Sequence, residues 1–203
     1  KKLKDVDEKI QKHLNRIEEQ VRVCDGIVDD LLEFTRGRNA SMVNEDPTPW
    51  IKEIISRVQD AQSIHIIRKL PGKMCPVPHD PEKIRRMMIN VLDNAVQAVR
   101  ERQRSGRPED AGYEPSITVS MENRDAEVKI LITDNGVGMD PKTLSQAVEP
   151  LFTTRSRGTG IGLANVKKII EEHRGKVVLE SEPGQGTKVI LTLPCSRETT
   201  VSD

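Results

Sequence analysis

The chain has 203 residues, enough for one full domain and a smaller element. Its 32 basic and 32 acidic residues give a formal net charge of zero, which removes any bulk attraction to nucleic acid or an anionic membrane. No apolar run reaches the length of a membrane span, no signal-peptide pattern opens the chain, and Cys24, Cys75 and Cys195 are scattered without metal-ligand spacing, so a reducing, cytoplasmic setting is the simpler reading.

The chain opens on Lys1 rather than Met and is read as a segment of something longer. Leu3, Ile10, Ile17, Cys24 and Leu31 recur every seven residues, and Leu14, Val21 and Val28 form a second row. Such a stripe predicts a long, coiled-coil-like helix over residues 1–37 that needs a partner helix, with homodimerisation as the consequence. His13 lies within this helix, where a half-buried structural histidine is favoured over a phosphate acceptor because no acidic residue follows it directly. Arg36-Gly37-Arg38-Asn39 carries helix-stop signals, and residues 38–47 read as a linker.

Residues 48–195 form the second domain, followed by a tail at 196–203. Thr48-Pro49, Asp80-Pro81 and Asp140-Pro141 place capping side chains before prolines and predict helices near 48–61, 81–102 and 141–148. A fourth is expected near 160–173. Ile64–Leu70 is strand-like. Ser116–Glu122 and Glu127–Thr133 predict one hairpin around Asn123-Arg124-Asp125, and Lys176–Ser181 and Thr187–Leu193 predict another around Gly184-Gln185-Gly186. Arg102 to Pro115 reads as a surface loop. The mixture points to an α+β fold with helices on one face of a sheet.

The chemistry gathers at three places. Asn90 and Asn94, four apart on the second of these helices, share a face at the edge of its apolar arc. They are either surface amides or oxygen ligands for Mg²⁺, with Asn94 the better candidate. Asp134 ends a hydrophobic strand and precedes Gly136 and Gly138; its carboxylate could accept a hydrogen bond from an exocyclic amine such as adenine N6, or simply serve a turn. Gly158-Thr159-Gly160-Ile161-Gly162 opens the fourth helix, whose free N–H groups and positive dipole end favour phosphate. Between the glycine runs, Phe152-Thr153-Thr154-Arg155-Ser156-Arg157 reads as a lid, and Arg155 or Arg157 either reaches a terminal phosphate or is solvated. Gly184 and Gly186 are expected to serve a hairpin turn.

Taken together, these motifs over roughly residues 45–194 resemble the ATP-binding domain of two-component sensor histidine kinases, within a superfamily that includes type II topoisomerases, Hsp90 chaperones and MutL repair proteins. Asn90 and Asn94 match the family's Asn motif, Asp134, Gly136 and Gly138 its adenine-side motif, Phe152 its lid phenylalanine, and Gly158, Gly160 and Gly162 its phosphate loop. Gly184-Gln185-Gly186-Thr187 is similar to its final glycine motif. The resemblance implies a two-layer α/β sandwich, a mixed sheet covered by helices with ATP under a mobile lid. It implies ATP contacts from Asn94, Asp134, Gly136, Gly138, Phe152, Thr153, Arg155, Gly158, Thr159, Gly160, Ile161, Gly162, Leu163 and Thr187, with Mg²⁺ on Asn94. Residues 1–37, ending Asp29-Asp30-Leu31-Leu32-Glu33-Phe34-Thr35-Arg36, are similar to the second helix of the family's dimerisation hairpin.

In superfamily members that hydrolyse ATP, the slot four residues before the metal-binding Asn holds a glutamate base. Here it holds Asn90, and an amide cannot take a proton from water or serine. That favours a histidine kinase, whose imidazole is itself nucleophilic. The family's acceptor histidine, usually followed by an acidic residue and soon by a proline, lies on the first hairpin helix, whereas His13 is on what matches the second helix and His65, His79 and His173 belong to the ATP domain. The acceptor is therefore expected on a first helix outside the segment. The resemblance implies an enzyme that transfers the γ-phosphoryl group of ATP to that histidine and thence to an aspartate of a response-regulator partner, with Asn90, Asn94 and Arg155 in the catalytic set. The other readings are an ATPase clamp of the same superfamily and a non-catalytic dimer scaffold. Neither nucleic acid nor membrane contact is expected of this segment.

Overall fold

Three aspartates, Asp46, Asp80 and Asp140, end stretches of extended backbone and start the first three helices of the domain. Each is followed by proline, and each accepts from the amides of the first helical turn: Asp46 from Thr48 N at 2.8 Å, Asp80 from Glu82 N and Lys83 N at 3.0 and 3.1 Å, Asp140 from Lys142 N and Thr143 N at 2.9 and 3.0 Å. The structure, a computed structural model, describes residues 10, 11, 13, 14, 21, 41–106, 112–155 and 158–196. Along these the elements are β1 (Val43–Glu45), α1 (Pro47–Gln62), β2 (Ile66–Lys69), β3 (Val77–His79), α2 (Pro81–Ser105), β4 (Ile117–Arg124), β5 (Glu127–Asp134), α3 (Pro141–Gln146), α4 (Gly162–Glu172), β6 (Lys176–Glu182) and β7 (Gly186–Pro194).

The main sheet has the order β2-β4-β5-β7-β6, with β2 and β4 parallel and the other pairs antiparallel. Alternate residues of its strands are buried: Ile117, Val119 and Met121 on β4, Val128, Ile130 and Ile132 on β5, Val189, Leu191 and Leu193 on β7. They face the apolar stripes of α1, α2 and α4, which supply Ile51, Ile54, Ile84, Met87, Met88, Leu92, Val166 and Ile170. Burying each of these large side chains contributes about 1.5–3 kcal/mol. Helices thus cover one face of a mixed sheet, as the α+β reading expects.

The register matters for the site. Ile117, Asp134, Thr187 and Ser181 pair in one row across β4, β5, β7 and β6, so Asp134 at the end of β5 stands directly beside Thr187. The ends of two hairpin-joined strand pairs meet there.

Several expectations are corrected. The first helix of the domain begins two residues earlier than Thr48-Pro49 suggests, with Asp46 as its cap and Thr48 buried. Val43–Glu45, within the stretch read as a linker, forms β1 and pairs antiparallel with β3, which periodicity does not reveal. The first hairpin turns at Asp125-Ala126, because Asn123 and Arg124 remain paired with Val128 and Glu127 and Asp125 takes the left-handed conformation (φ 56°). Cys75 and Cys195, expected to stay reduced, form a disulfide with Cα atoms 5.8 Å apart, tying the β2–β3 connection to the end of β7. Sequence separation gives no sign of that pairing.

Asp80 joins three segments at the start of α2. Its Oδ2 accepts from Ser41 N, and its own N–H donates to Nε2 of the buried His173, at the C-terminal end of α4, at 2.9 Å. His173 Nδ1 donates to Ile169 O at 2.7 Å, so the ring is held neutral, and burial pushes its pKa below the ordinary histidine value. His173 is therefore part of the framework that sets α2 against α4.

Residues 10, 11, 13, 14 and 21 are helical, and Ile10, Leu14 and Val21 are each about half exposed (51%, 51% and 52%). His13 is exposed. The other stripe positions, Leu3, Ile17, Cys24, Val28 and Leu31, lie outside the described residues, as do the stop signals at 36–39 and the lid residues Ser156 and Arg157. Among the described residues no helix is long and apolar enough to cross a membrane.

Candidate functional site

A cavity of about 580 Å³ opens between α2, the ends of β5 and β7, and the segment joining α3 to α4. That volume suits a nucleotide-sized ligand. All the site residues expected from the sequence line it, save Gly136 and Ile161. Gly136 acts from behind the wall, donating its N–H to Asp134, and Ile161 is buried in the interior.

Asp134 holds one end. It is only 6% exposed, and its Oδ1 accepts from Gly136 N at 2.8 Å and Thr187 N at 3.3 Å. Both bonds end on the same oxygen, which leaves Oδ2 as the acceptor for a ligand. Burial raises this carboxyl from 3.8 to about 6, against the opposing pull of the two amides and of the Arg155 charge.

The glycines on this side prove to serve the protein's own backbone. Gly138 has φ +66°, and a Cβ there would lie 1.9 Å from Glu182 O; a Cβ at Gly136 would strike Ala98. Gly186 likewise packs directly on the carbonyl of Asp134, so it does more than complete a turn. Gly162 is different. A Cβ there would meet only Asn94 Nδ2, at 3.8 Å, so the first turn of α4 keeps open space beside the Asn94 amide. That space is a cradle where an anion could approach the N-terminal N–H groups of the helix.

Asn90 and Asn94 come to the site because α2 is amphipathic and packs on α4, its buried stripe leaving the two amides at the seam. Asn90 Nδ2 donates to Gly162 O at 3.4 Å and so fixes the helix start. Asn94 Oδ1 accepts from Arg155 Nη1 at 3.1 Å. A neutral amide oxygen next to an anion cradle fits Mg²⁺, which takes few protein ligands besides phosphates and water. Among the described residues there is no cluster of His, Cys, Asp or Glu that would hold a metal without such help.

Leu151 N donates to Gly160 O at 2.9 Å, joining the residues on either side of the lid, and within it Thr153 Oγ1 accepts from Arg155 N at 3.1 Å. Arg155 also reaches Gln97 Oε1 at 3.1 Å and lies 3.7 Å from Glu101 Oε2. Gln97 and Glu101 were not anticipated. They sit three and seven residues after Asn94, so helical spacing alone places them on its face.

Comparison with known proteins agrees with this geometry. Residues 79–197 match the family described as "Histidine kinase-, DNA gyrase B-, and HSP90-like ATPase". The chain is 30% identical over 187 residues to the signal transduction histidine-protein kinase AtoS of Escherichia coli (strain K12), covering 91% of this chain and 29% of that protein. It is 33% identical over 172 residues to the sensor histidine kinase ZraS of Klebsiella oxytoca, covering 83% of this chain and 35% of that one. The chain thus spans about a third of the length of the curated relatives it matches. Among solved structures, the mycobacterial sensor histidine kinase MprB superposes with a TM-score of 0.60 at 25% identity, covering 77% of this chain and 98% of that one. Histidine kinase ThkA, solved in complex with the response regulator protein TrrA, superposes with a TM-score of 0.70 at 22% identity, covering 94% of this chain and 52% of that one.

Proposed function

The chain belongs to the histidine kinase-, DNA gyrase B- and HSP90-like ATPase family, and from that premise we propose that residues 48–195 are the ATP-binding catalytic region of a sensor histidine kinase. It would transfer the γ-phosphoryl group of ATP to a histidine on a helical hairpin, for onward transfer to an aspartate of a response regulator. The reading puts this region in the cytoplasm and makes the parent protein a homodimer through the N-terminal segment, where Ile10, Leu14 and Val21, positions of the heptad stripe, are exposed.

Each residue has a part. Asp134 Oδ2 accepts the exocyclic amine of adenine, while its Oδ1 stays on Gly136 N and Thr187 N. The first turn of α4 holds phosphate oxygens beside Gly162, where there is room for them. Asn94 is the protein ligand for Mg²⁺, which when bound neutralises phosphate charge. Arg155, already within reach of Asn94, balances charge on the transferred group from the lid side. The lid carrying Phe152 excludes water.

The single observation that carries the kinase reading over an ATPase clamp is the bond from Asn90 Nδ2 to Gly162 O. The slot before Asn94 holds an amide used as a donor, so no base stands there to activate water. The acceptor must then bring its own nucleophilicity, as imidazole does. His79 and His173 are buried within the domain, so neither is a candidate acceptor.

The test follows label from γ-phosphate-labelled ATP with Mg²⁺, first with the chain alone and then with a separate two-helix hairpin carrying an acceptor histidine. Acid-labile label on the hairpin, lost in Asn94→Ala, is the expected result. Rapid free phosphate with the chain alone would instead identify an ATPase clamp, and neither product would leave a scaffold.

A further inference from the structure

Behind the adenine end of the cavity, one side chain grips two loops at once. Arg102, in the last turn of α2, is not among the residues that line the cavity. Its Nη1 donates to Asn135 O at 2.8 Å and to Gly184 O at 2.7 Å. Asn135 immediately follows Asp134 in the β5 loop, and Gly184 lies in the turn between β6 and β7. Its guanidinium carbon sits 4.6 Å from the centre of the Tyr113 ring, a cation–π stack. The Tyr113 hydroxyl donates to Asn135 Oδ1 at 3.0 Å, which also accepts from Ser116 N at 2.8 Å, and Asn135 Nδ2 donates to Glu114 O at 2.8 Å.

The two loops are the ones that orient Asp134. Its Oδ1 is held by Gly136 N from the first and by Thr187 N from just beyond the second. The loops also meet through Gly184 N and Val137 O at 2.7 Å, and the first is pinned to α2 through Val137 N and Ala98 O. A charged donor shared by two carbonyls is stronger than these neutral bonds and depends on both loops being in place.

We propose that Arg102, stacked on Tyr113, is the positioning residue that sets base selectivity: by bridging Asn135 O and Gly184 O it fixes the spacing of the two amides that aim the Asp134 carboxylate at the nucleotide base. This rests on the nucleotide reading above. With the carboxylate aimed, an amine at the purine 6-position is accepted and a carbonyl there meets a like acceptor. Once the loops drift apart, the carboxylate loses one of its amides, gains water and stops distinguishing the two. The phosphate end, built from α4 and Asn94, is on the other side of the cavity and should not register the change.

The experiment measures calorimetric affinities of ATP, GTP and ADP with Mg²⁺ for the wild-type chain, Arg102→Ala, Arg102→Lys and Tyr113→Phe, each checked by thermal melting. Expected is a drop of about tenfold in the ATP:GTP affinity ratio for Arg102→Ala, the loss associated with one charged hydrogen bond. Arg102→Lys should fall between, since a lysine cannot reproduce the planar fork and the stack. The ATP:ADP ratio should stay within twofold throughout. An unchanged ATP:GTP ratio in Arg102→Ala overturns the proposal, as does an equal change in both ratios. If Arg102→Ala does not fold, an unchanged ATP:GTP ratio in both Arg102→Lys and Tyr113→Phe overturns it. A wild-type chain that binds none of the three nucleotides overturns the site reading itself, a result plainly different from a selective wild type whose variants remain selective.

Discussion

Arg155 Nη1 lies 3.1 Å from Asn94 Oδ1, so the lid and the helix carrying the proposed metal ligand share a hydrogen bond. The same nitrogen lies 3.1 Å from Gln97 Oε1, and Glu101 faces the guanidinium at 3.7 Å. The face of α2 that presents Asn94 to the cavity therefore also holds the lid down. Any motion of the lid away from the site breaks contacts to this one helix face.

Gln97 gives a way to separate latch from ligand. Removing its carbonyl in Gln97→Ala leaves Asn94 intact but takes one partner from Arg155. One such net hydrogen bond is worth about 0.5–1.5 kcal/mol, so the open-lid population should rise about two- to tenfold. Limited chymotrypsin cleavage at Phe152 should accelerate by that factor, while ATP affinity changes less than in Asn94→Ala. Equal cleavage rates in wild type and Gln97→Ala would show that the lid is held by other means.

Asp134 makes the site sensitive to pH. Burial raises its pKa from 3.8 to about 6. The folded form therefore holds this proton more tightly than the unfolded chain does, and the stability this contributes is full below about pH 3.8 and lost as pH rises through about 6. Binding runs the other way, because the ionised carboxylate is the better acceptor for an amine. Adenosine, which carries no phosphate to titrate, should bind more tightly as pH rises through about 6 and then level off. In Asp134→Asn the amide oxygen must stay on Gly136 N and Thr187 N, which turns its NH₂ donor toward the ligand. That variant should lose the pH dependence and shift preference from adenosine toward inosine. Calorimetry from pH 5 to 8 checks both; retained pH dependence would assign the titration to another group.

Much of this was readable in the chain. Asp-Pro pairs and the apolar spacing of Ile84, Met87, Met88, Val91 and Leu92 place α2, and the alternation of Val128, Ile130 and Ile132 places β5. Asn94 and Asp134 follow, because each stands at a fixed position on one of those elements, and Gly162 follows from the glycine run that opens α4. What was not readable depends on contacts between distant segments. β1 and β3 are three residues long and stabilise each other across more than 30 positions, with no periodicity to detect. Cys75 and Cys195 meet only because β7 ends beside the β2–β3 connection. Arg102 sat at the boundary of a presumed loop, and only the extension of α2 to Ser105 brings it to Asn135 and Gly184.

Two glycines distinguish structural from ligand-facing roles. At Gly138 the backbone has φ +66° and a Cβ would fall 1.9 Å from Glu182 O, so Gly138→Ala must move the β6–β7 hairpin or adopt a strained conformation. It should cost about 1–3 kcal/mol or more and lower the melting temperature by several degrees. At Gly162 no such obstacle exists, since the added methyl meets only Asn94 Nδ2 at 3.8 Å and the position is helical. Gly162→Ala should melt within a degree or two of wild type, because alanine is at least as good a helix residue as glycine. Its methyl would nevertheless stand in the space between α4 and Asn94, where phosphate and metal are proposed to sit. Affinity for ATP with Mg²⁺ should drop by about tenfold or more, equivalent to about 1.4 kcal/mol, while adenosine binds unchanged. Calorimetry with both ligands decides the matter: if adenosine and ATP weaken together, Gly162 shapes the whole cavity, and if neither weakens, the phosphates do not lie at the start of α4.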